Sequence, residues 1–110
     1  MPQPQAKVED ARFVALKSWF LQQGPHLSAV LNMPQLGAGR WQAAGSDASF
    51  RRYFRWQDDN VRLVLMDAPP PGEDCRPFVR MAQMLSVAGL NVPRVLAQDV
   101  QQGFLVLSDL

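Results

Sequence analysis

Between Ser49 and Trp56 aromatic and basic side chains are interleaved. Phe50, Arg52, Phe54 and Trp56 fall on one side of an extended chain and Ser49, Arg51, Tyr53 and Arg55 on the other, a period of two that belongs to a strand. The strand read this way, Ser49 to Gln57, follows the small-residue stretch Ala44-Gly45-Ser46-Asp47-Ala48, and before that lies a second extended run from Arg40 to Ala44. Two extended runs joined by a turn of glycine, serine and aspartate make a hairpin. Any fold for this chain must contain a sheet.

Upstream, Lys7 to Gln23 lacks internal proline and glycine and places Phe13, Leu16 and Phe20 at spacings of three and four, which predicts a helix ended by Gly24-Pro25. Val14, Trp19 and Leu21 fall off that stripe, so the helix is expected to pack on more than one side. A short apolar segment, Leu27 to Met33, stops at Pro34, and Gly37-Ala38-Gly39 marks a loop. Downstream, Asp58-Asp59-Asn60 turns the chain into a third strand, Val61 to Met66, apolar enough for burial on both faces. The stretch Asp67-Ala68-Pro69-Pro70-Pro71-Gly72 reads as a stiff exit loop, because consecutive prolines lack the donors of a sheet ladder. Glu73 and Asp74 then suit the positive end of a helix dipole, and Pro77 is tolerated in the first turn. Phe78, Met81, Ala82 and Leu85 form the inward stripe, with Arg76, Arg80 and Gln83 outside and Gly89 as a left-handed stop. Val92 to Ala97 and Phe104 to Leu107 complete the strands, separated by a turn from Asp99 to Gly103.

The fold class expected is therefore α+β: a mostly antiparallel five-stranded sheet with one packed helix and an extra N-terminal helix. Residues 1–36 read as a helical extension and 37–110 as the sheet-bearing lobe. At 110 residues the chain fits one small domain, and a hydrophobic share of 47% against 19% charged excludes wholesale disorder. A net charge of +1 argues against nucleic-acid binding by bulk electrostatics. The lone Cys75 forms no internal disulfide, and Cys/His spacing for a metal is absent. No apolar run approaches the ~20 residues that span a bilayer. A soluble cytoplasmic protein with no membrane partner is the expectation.

A turn of glycine, serine and alanine lets backbone N–H groups approach phosphate oxygens, and the hydroxyls of Ser46 and Ser49 can add hydrogen bonds. The same residues also suit an ordinary hairpin, in which Gly45 and Asp47 supply only turn geometry. A family likeness favours phosphate. Taken in order, Gly45 to Tyr53, Leu65-Met66-Asp67-Ala68-Pro69-Pro70, Gly89 to Ala97 and Phe104-Leu105-Val106-Leu107-Ser108-Asp109-Leu110 resemble the aminoglycoside-phosphotransferase-like small-molecule kinases. Within them the likeness is to the branch that phosphorylates an amino sugar at its anomeric hydroxyl.

That resemblance implies a kinase N-terminal lobe from about Arg40 onward. It implies ATP held at Gly45, Ser46, Asp47, Ala48 and Ser49, with Ser108, Asp109 and Leu110 opening the hinge beside adenine. Magnesium ligands and the aspartate that orients the attacking hydroxyl are implied to lie in a C-terminal lobe that these residues do not include, so no catalytic or metal residue is assigned here. The lobe's own partner is that second lobe, and the strand face of 92–97 and 104–107 is expected to be apolar surface left open for it and for adenine.

One departure from kinases stands out. The third strand normally carries a lysine that pairs phosphate with a glutamate of the next helix. Here Met66 stands in the strand and the inward helix stripe holds no acid. Losing both members avoids an unpaired buried charge, which costs about 3–5 kcal/mol. Arg51 and Arg52 are the substitutes at hand, Arg52 foremost because it shares the aromatic side. The other reading leaves the arginines on a solvated sheet face with their stems over Phe and Tyr.

The remaining conspicuous residues read as structural: His26 in a surface loop, Cys75 as a passive thiol, Trp19, Trp41 and Trp56 as packing, Met66, Met81 and Met84 as adaptable core, and Asp99 as a turn former. Two other functions fit parts of the sequence. Phe50 to Arg55 has the residue types of a single-strand nucleic-acid stacking surface, and the whole chain suits a kinase-fold interaction domain without catalysis.

Overall fold

The alternation that dominates the sequence becomes a strand whose two faces enter two different cores. In the computed structural model, which describes residues 10–46 and 50–109, this strand is β2 (Arg52–Gln57), and it pairs antiparallel with β1 (Arg40–Ser46) on one side and β3 (Arg62–Asp67) on the other. β5 (Phe104–Ser108) lies along the far edge of β3, with β4 (Val95–Asp99) outside it. The sheet order is β1-β2-β3-β5-β4, with every pairing antiparallel. The expected α+β class and five-stranded antiparallel sheet are what the chain forms.

Strand parity decides which helix each residue meets. Phe54, Trp56, Leu63, Leu65, Phe104 and Val106 turn to one face and pack against Leu16, Trp19 and Phe20 of α1 (Ala11–Gln22) and Leu27 of α2 (Gly24–Val30). Tyr53, Val64, Met66, Leu105 and Leu107 turn to the other, against Cys75, Phe78 and Val79 at the start of α3 (Arg76–Val87). β3 is buried on both faces, as its apolar run predicts.

Several expectations change. Residues 7–9 of the expected first helix lie outside the described residues; α1 itself starts after Asp10, whose carboxylate accepts the Phe13 N–H at 2.8 Å. Gly24-Pro25 ends α1 but also opens α2, because proline's missing N–H costs nothing in a first turn. α1 packs on one side: Leu16, Trp19 and Phe20 are its buried residues, Phe13 and Ala15 pack beside them, and Val14 and Leu21 are 50% and 74% exposed. In α3, Val79 takes the inward place expected for Met81, which is exposed. Met84 is exposed as well, so of the three methionines only Met66 is core.

The helix stop is as expected. Gly89 adopts φ +85, the Leu90 N–H donates to the Leu85 carbonyl and the Gly89 N–H to that of Ser86, which is the Schellman pattern. The strand face expected to stand open does not: Leu96, Ala97 and Phe104 to Leu107 are buried under the helices. Exposed large apolar side chains lie elsewhere: Val14, Leu21 and Val30 on α1 and α2, Phe50 beside the hairpin turn, and Met81, Met84, Val87 and Leu90 on and just beyond α3.

Candidate functional site

The turn between β1 and β2 is entered through a bulge. The register slips between Ala43 and Gly45, and Gly45 adopts φ +117 with open space where a Cβ would project. Ser46 pairs with Arg52 across the hairpin. Asp47, Ala48 and Ser49 lie outside the described residues, as does Leu110 at the other end of the candidate set. Beyond the turn, Phe50 is 74% exposed.

The next two arginines go to opposite faces. Arg52, on the α1 face with Phe54 and Trp56, donates through Nη1 and Nη2 to Asp10 at 2.8 and 2.9 Å, and through Nε and Nη2 to Asp67 Oδ2 at 3.2 and 2.7 Å. Arg12 of α1 reaches the other oxygen of Asp67 through Nε at 3.0 Å and donates to the Gln102 carbonyl at 2.7 Å. Asp67 is thus a strand residue, not the first of the exit loop, and its side chain is 1% exposed. Two guanidinium groups offset the cost of taking that carboxylate out of water. The hydrogen bond to Arg52 holds the Asp10 carboxyl well below its usual range, and the same bond raises the pKa of Arg52.

Arg51 faces α3, on the side of Tyr53 and Met66. Its Nε donates to Glu73 Oε1 at 3.0 Å, and the two side chains are 26% and 12% exposed. Burial works against the charge on Arg51, but hydrogen bonding with Tyr53 and Glu73 outweighs it and raises the pKa. Glu73 also accepts the backbone N–H of Phe50 at 3.5 Å, tying the end of the turn to the segment before α3.

At the far end of the sheet, Ser108 exchanges hydrogen bonds with Arg94: its Oγ accepts the Arg94 N–H at 2.8 Å and its own N–H donates to the Arg94 carbonyl at 3.0 Å. Asp109 accepts Nε of Arg55 at 3.0 Å, with Arg62 at 3.9 Å. Ser108 and Asp109, two of the three residues proposed to open the hinge, therefore have side chains engaged within the lobe.

The run Phe50 to Arg55 does not form a basic stacking surface. Phe54 is buried, and each of its three arginines holds a carboxylate. His26 lies in α2, not a loop, with Nε2 3.0 Å from the Leu96 carbonyl. Burial pushes the Cys75 thiol up, against activation at the helix start. Asp99 caps its turn through the Gln102 N–H. Among the described residues no group of three or more His, Cys, Asp and Glu side chains could hold a metal ion. Asp10, Asp67 and Glu73 are the members that sequence reasoning missed; the available signal was that closely spaced arginines among aromatics need carboxylates from elsewhere.

The profile of the phosphotransferase enzyme family matches residues 40–110. The chain belongs to the phosphotransferase enzyme family. The sheet with α3 against it is this family's kinase-like N-terminal lobe, and α1 and α2 precede the matched residues. Among curated relatives, a Pseudomonas aeruginosa N-acetylmuramate/N-acetylglucosamine kinase is 53% identical over 93% of this chain. Proteins of the same name from Pseudomonas putida and Neisseria meningitidis are 48% and 43% identical over 92% and 90% of it. The chain spans about 30% of the length of the first two and 26% of the third.

Proposed function

We propose that this chain is the nucleotide-binding lobe of an ATP-dependent sugar kinase that phosphorylates the anomeric hydroxyl of N-acetylmuramic acid or N-acetylglucosamine in peptidoglycan recycling, in the cytoplasm where ATP is available. The observation that carries this reading is identity of 53% and 48%, over nearly the whole chain, to two kinases named for those sugars. The turn fits a nucleotide: Gly45 is held at positive φ with free space beside its Cα, so backbone can approach an oxyanion closely. ATP with magnesium would supply the phosphoryl group and the charge neutralisation; this lobe would position the phosphates, with Gly45, Ser46 and the following residues over them and the backbone at Ser108 to Leu110 beside adenine.

The second lobe would bring the sugar, the metal ligands and the catalytic aspartate. The test is incubation of the full-length protein with magnesium, ATP and each amino sugar, with quantification of the sugar phosphate. Stoichiometric loss of reducing ends with ADP release is expected. ATP binding without transfer to any sugar would favour the non-catalytic interaction domain instead.

A further inference from the structure

We propose that Arg51, held by Glu73, is the phosphate-binding cation of this lobe, a transposed replacement for the strand lysine and helix glutamate of kinases; this rests on the ATP-binding reading above. The strand lysine acts from the face of the sheet that the following helix covers. On that face Met66 is fully buried against Cys75 and Val79, so no cation can stand there. Tyr53 is the cross-strand partner of Met66, and Arg51 precedes Tyr53 by two residues. It therefore keeps the same face and sits roughly 7 Å nearer the turn.

Glu73 has moved in the same direction. It comes from the segment before α3, not from the helix, and it meets Arg51 at 3.0 Å. Both members of the usual pair are thus displaced together toward the turn. The other arginine beside the turn is on the wrong side: Arg52 faces α1 and is shared between Asp10 and Asp67. Glu73 also accepts the Phe50 N–H, so one carboxylate fixes both the cation and the end of the turn. Glu73 acts as a positioning residue, and Arg51 as the group that touches phosphate.

Titration of the full-length protein with ATP, ADP and adenosine tests this. Arg51→Ala should weaken ATP and ADP by about tenfold or more, the scale of a lost charge-assisted contact, and leave adenosine within about twofold. Arg51→Gln, which retains a donor for Glu73, should give the same selective loss if the alanine variant folds poorly. Glu73→Gln should raise KM for ATP several-fold while kcat changes little. Arg76→Ala, which removes an equal charge from an exposed pair with Asp74, should change nothing. Equal loss of ATP and adenosine in the Arg51 variants, or unchanged ATP affinity, overturns the assignment. If the unaltered protein binds no nucleotide, the kinase reading falls and this one with it; if it binds and Arg51→Gln matches it, only this one falls.

Discussion

Removing the carboxylate of Asp67 leaves two guanidinium groups converging on an empty space. Truncating one partner of a buried ion pair costs about 3–5 kcal/mol, and Asp67→Ala should fall near the lower end, about 3 kcal/mol. The Arg12 and Arg52 side chains are 34% and 36% exposed and can turn to water. Arg52→Ala should cost less, about 1 kcal/mol, because Arg12 still covers Asp67. Urea unfolding of the three proteins measures the order, and an Arg52→Ala loss equal to that of Asp67→Ala would refute this account. At this scale the sequence was half legible. Arg52 could be singled out from its place among aromatics, but its carboxylates lie 42 and 15 residues away, and Asp67 was hidden by the prolines that follow it. Likewise Arg51 was readable as a cation and Glu73 was not readable as its partner, because local periodicity carries no information on a contact 22 residues apart.

Two glycines separate the cost of a backbone conformation from the cost of a clash. Gly89, the stop of α3, has φ +85 and nothing within 4 Å of where a Cβ would project. Gly89→Ala should therefore pay only for the left-handed conformation, about 1 kcal/mol. Gly103, which closes the β4–β5 turn, has φ +82, but a Cβ there would lie 1.9 Å from the Ala68 carbonyl oxygen. That approach is part of the fold, since the Ala68 N–H donates to the Gly103 carbonyl at 2.8 Å. Gly103→Ala should cost at least about 3 kcal/mol, with strain of about 1–3 kcal/mol added to a backbone overlap. Thermal melts of the two variants check the contrast, and similar midpoints would contradict it. Element types were legible because period two and period three-to-four are printed in the chain; element ends were less so. β3 continues one residue into what reads as loop, because Asp67 still pairs with Arg52 and Phe104. The inward edge of α3 shifted from Met81 to Val79 because a helix stripe about 100° wide admits two phases when few residues define it.

The sheet is closed on one side by α1 and α2 and on the other by α3, so the segment before residue 37 is part of the core it covers. Leu16, Trp19, Phe20 and Leu27 pack directly on Phe54, Trp56, Leu65, Phe104 and Val106. A variant beginning at residue 37 should lose its cooperative unfolding transition and aggregate, with tryptophan emission shifted to the red as Trp56 meets water. A soluble variant with a sharp melt would show that the two helices are dispensable. Parity within a strand told that there are two faces; it could not tell which helix covers each, nor which strands touch. The placement of β5 between β3 and β4 is such a case, and it has a consequence for how the chain is made. Of these five strands, the one that leaves the ribosome last is an inner one. Until residues 104–108 emerge, the meander β1-β2-β3 and the segment of β4 each present a bare hydrogen-bonding edge with nothing to seal it. The nascent chain must hold these two sticky borders apart from neighbours until a single late strand stitches them together.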